Sequence, residues 1–294
     1  MTTTIQFIID ALTSGSYYAL FALGIALIFG IMQLVNFAHG ELIMIGGYAL
    51  YVAADLPWPL TVAVAIGVVI LSALLMERLA FRPLRGANPA TLLISSFALS
   101  FLLQNVAQMF FTTLPKSTNV VPLFTESITV GGLTISWLSV VTIATTALLL
   151  SLLAAFMSWS STGVQMRAAA EDFEMAELCG VRSNRVIATA FALGGLLAGA
   201  GAVLLVGQTG SISIGMGLTP VLFGFTAAAI GGLGSLPGAV VGGYVLGFGG
   251  ALLQQFLPDG AAGYRDAFLF SGVFVLMAFR PGGLFRVAAL SPRV

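Results

Sequence analysis

Asn36, His39 and Glu41 are polar side chains in an otherwise apolar stretch, and they are the residues of this chain best placed to do chemistry. Glu41 is the only full charge between Asp10 and Asp55, and His39 is the only histidine. A carboxylate and an imidazole this close in sequence could hydrogen-bond each other, exchange a proton or gate a polar path. Glu41 to Asp55 spans 14 residues, about 21 Å of helix, less than the ~30 Å of a bilayer core. All three residues are therefore expected below the headgroups, facing the bundle interior or water, because a carboxylate at that depth is costly elsewhere. Two readings stand side by side. Asn36 could cap the following helix, with Glu41 in its first turn where the dipole favours an acid. Alternatively the three line or gate a pathway, with His39 and Glu41 as partners. Ser14-Gly15-Ser16-Tyr17-Tyr18 is a second polar patch, in which Ser14 and Tyr17 could line the same path or form interhelical hydrogen bonds. Gln104, Asn105 and Gln108 share roughly one helix face, which suggests an inward one.

A second constellation lies at 163–185. Residues Gln165 to Cys179 are rich in Ala, Glu and Met, all good helix formers. The spacing predicts one amphipathic helix, with Met166, Ala170 and Phe173 on an apolar stripe and Arg167, Glu171 and Glu174 on a charged one. Gly180 sits where a C′ glycine would end it. The acids are Glu171, Asp172, Glu174 and Glu177. A helix lying on the membrane surface usually has a basic polar face. An acidic face fits a docking site for a soluble partner, or a solvated loop helix.

The elements that must position these residues are membrane helices. Of 294 residues, 59% are hydrophobic and 7% charged, with a mean hydropathy of +1.05; a soluble domain is about 25% charged. That excludes a soluble enzyme, a nucleic-acid binder and a disordered chain. The expected fold is an all-α polytopic helical bundle in lipid, a single transmembrane domain over 1–294. Nine apolar segments are legible, at about 5–31, 40–54, 60–80, 90–112, 134–157, 186–206, 216–231, 238–257 and 265–280. The segment 40–54 is short and could be re-entrant, which would leave eight. The segments 216–231 and 238–257 are glycine-rich. No basic run precedes the first segment, so it reads as a retained span rather than a cleaved signal. Cys179 is the sole cysteine, which excludes an internal disulfide; one cysteine and one histidine point to no metal site.

Nine spans place Arg78, Arg82, Arg85, Arg167, Arg182, Arg185, Arg280, Arg286 and Arg293 on one side, and only Lys116 and Arg265 on the other. By the positive-inside rule the arginine-rich side, with the C-terminus and the loop at about 158–185, is cytoplasmic. No Lys or Arg falls in the middle of a span, which favours a neutral or zwitterionic solute over an anion. There is no Gly-x-x-x-x-Gly-Lys-Ser/Thr, so ATP chemistry would need another polypeptide.

Residues 194–250 hold 18 of the 35 glycines. Small residues spaced by four let membrane helices pack closely, and Gly231-Gly232-Leu-Gly234-Ser-Leu-Pro237-Gly238 is hard to keep helical, so a break beside a polar path is the alternative. The run Asn36 to Glu41 is a comparable break in the first half. Each break precedes a Gly-Gly-Tyr, at 46–48 and 242–244, which raises an internal repeat of the transporter kind, with an inverted one among its forms.

Ala22 to Gly30 with Asn36-Phe-Ala-His-Gly-Glu41 and Gly46-Gly-Tyr48 resembles a family signature. So do Met166-Arg-Ala to Gly180-Val with Arg185-Val-Ile to Leu193-Gly-Gly, and Ala228 to Gly243 with its Gly-Gly-Leu-Gly-Ser-Leu-Pro-Gly. The family is that of permease subunits of branched-chain amino-acid-type ABC importers, which also includes urea and amide importers. The resemblance covers nearly the whole chain. It implies a second homologous permease, two cytoplasmic ATPases that bind ATP and Mg, and an extracytoplasmic solute-binding protein, in a bacterial inner membrane. It implies no cofactor on this chain. It also implies that 163–185 is the coupling loop, carried by Arg167, Glu171, Asp172, Glu174, Glu177 and Gly180. The general importer motif Glu-Ala-Ala-x-x-x-Gly reads here Glu174-Met175-Ala176-x-x-x-Gly180, so its second position departs. Whether the permeases pair as two copies or two different chains stays open, as does the solute. The rival readings are a passive channel for a small neutral solute and an intramembrane enzyme using His39 and Glu41.

Overall fold

The computed structural model describes residues 2–118, 124, 126–130 and 133–285. Arg286 and Arg293, expected in a basic tail, lie outside the described residues. The helices are α1 (Thr2–Met32), α2 (His39–Val52), α3 (Trp58–Met76), α4 (Pro89–Phe111), α5 (Trp137–Trp159), α6 (Ser161–Glu171), α7 (Phe173–Leu178), α8 (Ser183–Thr209), α9 (Leu218–Gly231), α10 (Leu236–Phe256) and α11 (Arg265–Phe279). A π-helical turn, Glu77–Phe81, and a 3-10 turn, Arg82–Leu84, prolong α3. Four short strands lie between helices: β1 (Lys116–Ser117), β2 (Ser127–Val130), β3 (Leu133–Ser136) and β4 (Ser211–Ile212). β1 pairs antiparallel with β4, and β2 with β3.

Among the described residues, seven helices are long and apolar enough to cross a membrane. α2 and α9 have 14 residues each, about 21 Å, and an irregular arm precedes each, Gln33–Ala38 and Ser213–Gly217. The direction of the chain shows that both count as crossings. The Tyr17 hydroxyl meets the Leu204 carbonyl at 2.8 Å, Gly201 lies against Phe21, and Gly24 lies near Gly194, so α1 and α8 are antiparallel. That demands an even number of crossings between them, which α2, α3, α4 and α5 supply. Gly15 lies against Tyr244 and Gly243 against Ala19, so α10 also runs against α1, which requires α9 as a crossing. The nine segments stand, two of them as an arm plus a short helix.

Helix neighbours reveal the repeat. α1 packs on α10 as α8 packs on α3; α1 packs on α9 as α8 on α2; α2 packs on α3 as α9 on α10; and α4 touches α2 as α11 touches α9. Exchanging α1–α4 with α8–α11 therefore preserves these four pairings, with the two halves inverted and α5–α7 between them; the contact of α10 with α11 has no comparable counterpart between α3 and α4. The two Gly-Gly-Tyr runs do not mark this repeat, because one lies in α2 and the other in α10. The arm at Ser213–Gly217, not the glycine-rich turn 232–235, is the counterpart of the first break.

Close packing explains the small residues. Gly243 meets the Ala19 backbone and Gly247 that of Gly15, so α1 and α10 touch through main chain. One end of the bundle gathers Gly30 against Gly234, Gly232 against Phe285, and the arginines at 78, 82, 85, 182, 185 and 280. The other gathers the β1–β4 ladder, Lys116 over the Tyr51 ring, and a hydrogen bond from the Thr134 amide to Gln6.

The single helix expected over Gln165 to Cys179 is two. It breaks at Asp172, whose backbone is extended (φ −153°, ψ 105°) and whose Oδ1 accepts from the Met175 amide. Asp caps a new helix better than it continues an old one. The buried stripe accordingly runs through Met166, Ala169 and Ala176 rather than Met166, Ala170 and Phe173.

Candidate substrate pathway and coupling surface

The N-termini of α2 and α9 meet inside the bundle. A Cβ on Gly40 would lie 2.7 Å from the Gly217 carbonyl oxygen, and one on Gly217 would fall onto the Gly40 carbonyl. The backbones touch there, and each short helix then runs to an opposite end of the bundle. The second residue of α9, Thr219, and its neighbours Leu218 and Leu222 are exposed beside this point. Phe37, in the first arm, stacks on Phe97 of α4 (4.4 Å between centroids, 16° between planes) and lies 6.1 Å from Phe225 of α9.

The expected pairing of His39 with Glu41 does not form. Residues two apart on a helix point to different faces. His39, 1% exposed, packs against Gly24, where an added Cβ would come within 2.7 Å of its Nε2. Neither ring nitrogen has a hydrogen-bond partner among the described residues. Glu41 instead faces α4, where its Oε1 accepts from the Ser100 hydroxyl and the Gln104 amide, each at 2.7 Å. Glu41 does lie in the first turn of α2. Asn36 does not cap that helix. The N-cap is Ala38, with no side-chain cap. Asn36 lies two residues upstream, gives its backbone carbonyl to the His39 amide at 3.2 Å, and turns its Nδ2 to the Met76 sulfur at 3.8 Å.

α4 holds the first broken segment through Gln104, which the sequence places on an inward face, and through Ser96 and Ser100, which sequence reasoning missed. The Ser96 hydroxyl donates to the Leu93 carbonyl at 2.7 Å and lies 3.4 Å from both the Val35 carbonyl and the Phe37 amide. Ser96, Ser100, Gln104 and Gln108 recur every fourth residue, so they form one polar row. That spacing was the available signal. Asn105 is off the row and satisfies its Nδ2 on the Phe101 carbonyl at 2.7 Å.

Ser14 and Tyr17 are not brought to this site. Tyr17 is buried between α1 and α8 with its hydroxyl on Leu204. Ser14 is half-buried, about ten residues of helix from Gly24. Their neighbour Ser16 lies 3.3 Å from the Tyr244 hydroxyl, an interhelical contact to α10.

At the arginine-rich end, α6 and α7 project Arg167, Glu171, Glu174 and Glu177 into solvent, with exposed Met175 and Leu178 between them. Gly180 does end α7. Its φ is +88°, and the amides of Gly180 and Val181 bond the carbonyls of Glu177 and Ala176 at 2.9 and 3.0 Å, the double closure of a Schellman motif. A cleft of about 770 Å³ separates the end of α1 from α6–α7, lined among others by Gln33, Arg85, Glu171, Phe173, Glu174 and Glu177.

The profile of the family described as "Branched-chain amino acid transport system / permease component" matches residues 7–278. The chain is 37% identical to the high-affinity branched-chain amino acid transport system permease protein BraD of Pseudomonas aeruginosa, over 95% of each chain. It is 34% identical to LivH of Salmonella typhimurium and 33% to LivH of Escherichia coli K12, both named as high-affinity permeases of the same kind, over 95% of this chain and 94% of each of those. Among solved structures, a chain of PsaBC from Streptococcus pneumoniae in complex with Fab has a similar fold, with a TM-score of 0.50 at 17% identity over 92% of this chain and 91% of that one.

Proposed function

We propose a mechanism from one premise: the chain belongs to the family of permease components of branched-chain amino acid transport systems. It is a multi-pass membrane transport protein. The solute we assign is a branched-chain amino acid, moved into the cytoplasm. Relatives named for that transport support this, as does a path whose spans carry no Lys or Arg near their middle to hold an anion. A zwitterion with an aliphatic side chain suits the mix of Leu218, Leu222, Phe97 and Gln104 around the meeting of α2 and α9.

The observation that carries the mechanism is the contact of Gly40 with Gly217. Two short helices abut end to end where a continuous span would have no joint. Separating or tilting them exchanges access between the two faces, with α4 following α2 through Glu41, Ser100 and Gln104. Backbone freed at the break is tolerable only along such a cavity.

Energy comes from outside the chain. Two partner ATPases, holding ATP and Mg, dock on the acidic surface of α6–α7 through Arg167, Glu171, Asp172, Glu174, Glu177 and the turn at Gly180. A second permease completes the path, and a solute-binding protein delivers solute to the opposite face. The arginine-rich end, with the C-terminus, is cytoplasmic by the positive-inside rule.

The test is co-expression with a cognate second permease, ATPase pair and binding protein, followed by reconstitution into liposomes. Leucine uptake that requires ATP and the binding protein is the expected result. Leucine flux through the purified chain alone, with no ATPase present, would establish the passive channel instead.

A further inference from the structure

We infer that Arg85 is a positioning residue for energy coupling, joining α7 to the cytoplasmic end of α3. This rests on the importer reading above. Arg85 follows the 3-10 turn that closes α3. Its Nη2 donates to Glu77 Oε1 and its Nη1 to Asn184 Oδ1. Glu77 opens the π-helical turn at the end of α3 and is only 5% exposed. Asn184 is the second residue of α8. Beside it Ser183, the first residue, donates its hydroxyl to Glu177 Oε1 of α7. Polar contacts thus run from Glu177 to Ser183 and from Asn184 through Arg85 to Glu77, joined by the peptide bond between Ser183 and Asn184.

The parts suit a link that transmits a pull. Arg85 holds two acceptors on separate helices with one planar guanidinium, a geometry an ammonium does not reproduce. A buried carboxylate is strongly tied to its cation, since losing the partner leaves an uncompensated charge. The π-turn gives α3 a point of irregular hydrogen bonding next to that anchor. Along its length α3 packs on α8, with Gly195 against Ala73, and on α2, with Gly46 against Val69. The cleft of about 770 Å³ beside Arg85 leaves α6–α7 room to move against the end of α1. A displacement of α7 therefore reaches α2, and the Gly40–Gly217 joint, through α3. Such a contiguous polar chain is a physical route for coupling, whose proof is a change in coupling itself.

The test uses the assembled, reconstituted importer and reads leucine taken up per ATP hydrolysed. Asn184 is exposed, so Asn184→Ala spares the fold while cutting the link. Uptake per ATP is expected to fall about fivefold or more, the low end of common coupling factors, with Asn184→Asp, which keeps an acceptor, restoring it. Arg85→Lys, which retains the charge beside Glu77 but not the fork, is expected to match Asn184→Ala. An unchanged ratio in Asn184→Ala overturns the link while leaving the importer reading intact. An unaltered complex without ATP-driven uptake overturns both.

Discussion

Glu41 on α2 and Gln104 on α4 are 63 residues apart and share a 2.7 Å hydrogen bond, with Ser100 adding a second donor to the same carboxylate oxygen. The charge that looks most out of place in the first half is thus what fastens a peripheral helix to a broken one. Charge-assisted bonds are about twice as strong as neutral ones, and Glu41 itself is only 4% exposed.

Glu41→Ala should leave Ser100 and Gln104 without their acceptor, at about 1–3 kcal/mol for each stranded group. A double-mutant cycle of Glu41→Ala with Gln104→Ala, read by unfolding in detergent, should give a coupling energy of about 1–2 kcal/mol. Additive losses would mean the two residues act independently.

Gly217→Ala should abolish or cut transport by about tenfold or more. Gly217 has φ −81°, which alanine adopts freely, so the obstacle is the Gly40 carbonyl in the path of the new methyl; overpacking of that kind costs about 1–3 kcal/mol. Gly67, in the middle of α3, has nothing within 4 Å of an added Cβ. Gly67→Ala should therefore transport normally and gain about 0.5–1 kcal/mol of helix stability. Uptake of labelled leucine by the two variants, at matched amounts in the membrane, separates packing at the joint from a general demand for glycine.

Much of this architecture is legible in sequence because hydropathy and arginine placement report on lipid directly. The nine segments, the weakness of 40–54 and 216–231, and the gathering of most arginines at one end all follow from that, whereas 238–257, which its glycines make look weak, is the full-length helix α10. Pairings across the bundle do not. Nothing local shows that Glu41 looks to Ser100 rather than to His39, because the choice is made by α4 packing over α2. The break before α9 is hidden for a related reason. Ser211 to Gly217 carries no Pro or charge, and only its symmetry with Gln33–Ala38 reveals it. Spacing alone puts Asp172 on an acidic helix face, yet its capping of α7 splits that helix in two.

Gly180→Ala should loosen the end of α7. A non-glycine residue at φ +88° carries a strain of about 1 kcal/mol, while Gly180→Asn, better tolerated in that region, should lose less. Hydrogen exchange of the Val181 amide, bonded to the Ala176 carbonyl at 3.0 Å, should quicken in the order native, Asn, Ala. Equal protection in all three would show that the turn does not depend on glycine.

Cys179 offers a direct reading of sidedness, because it is the only cysteine and is exposed at the end of α7. A membrane-impermeant maleimide should label it in inside-out vesicles and leave it unlabelled in right-side-out ones. Replacing it with serine and placing a cysteine at Lys116, beside the β1–β4 ladder at the other end of the bundle, should reverse the pattern. Both sites are needed, since labelling of one in both preparations reports only leaky membranes. The reverse result at both would turn the protein over in the membrane. The acidic surface of α6–α7 would then face away from any cytoplasmic ATPase, and the coupling role assigned to it would fall.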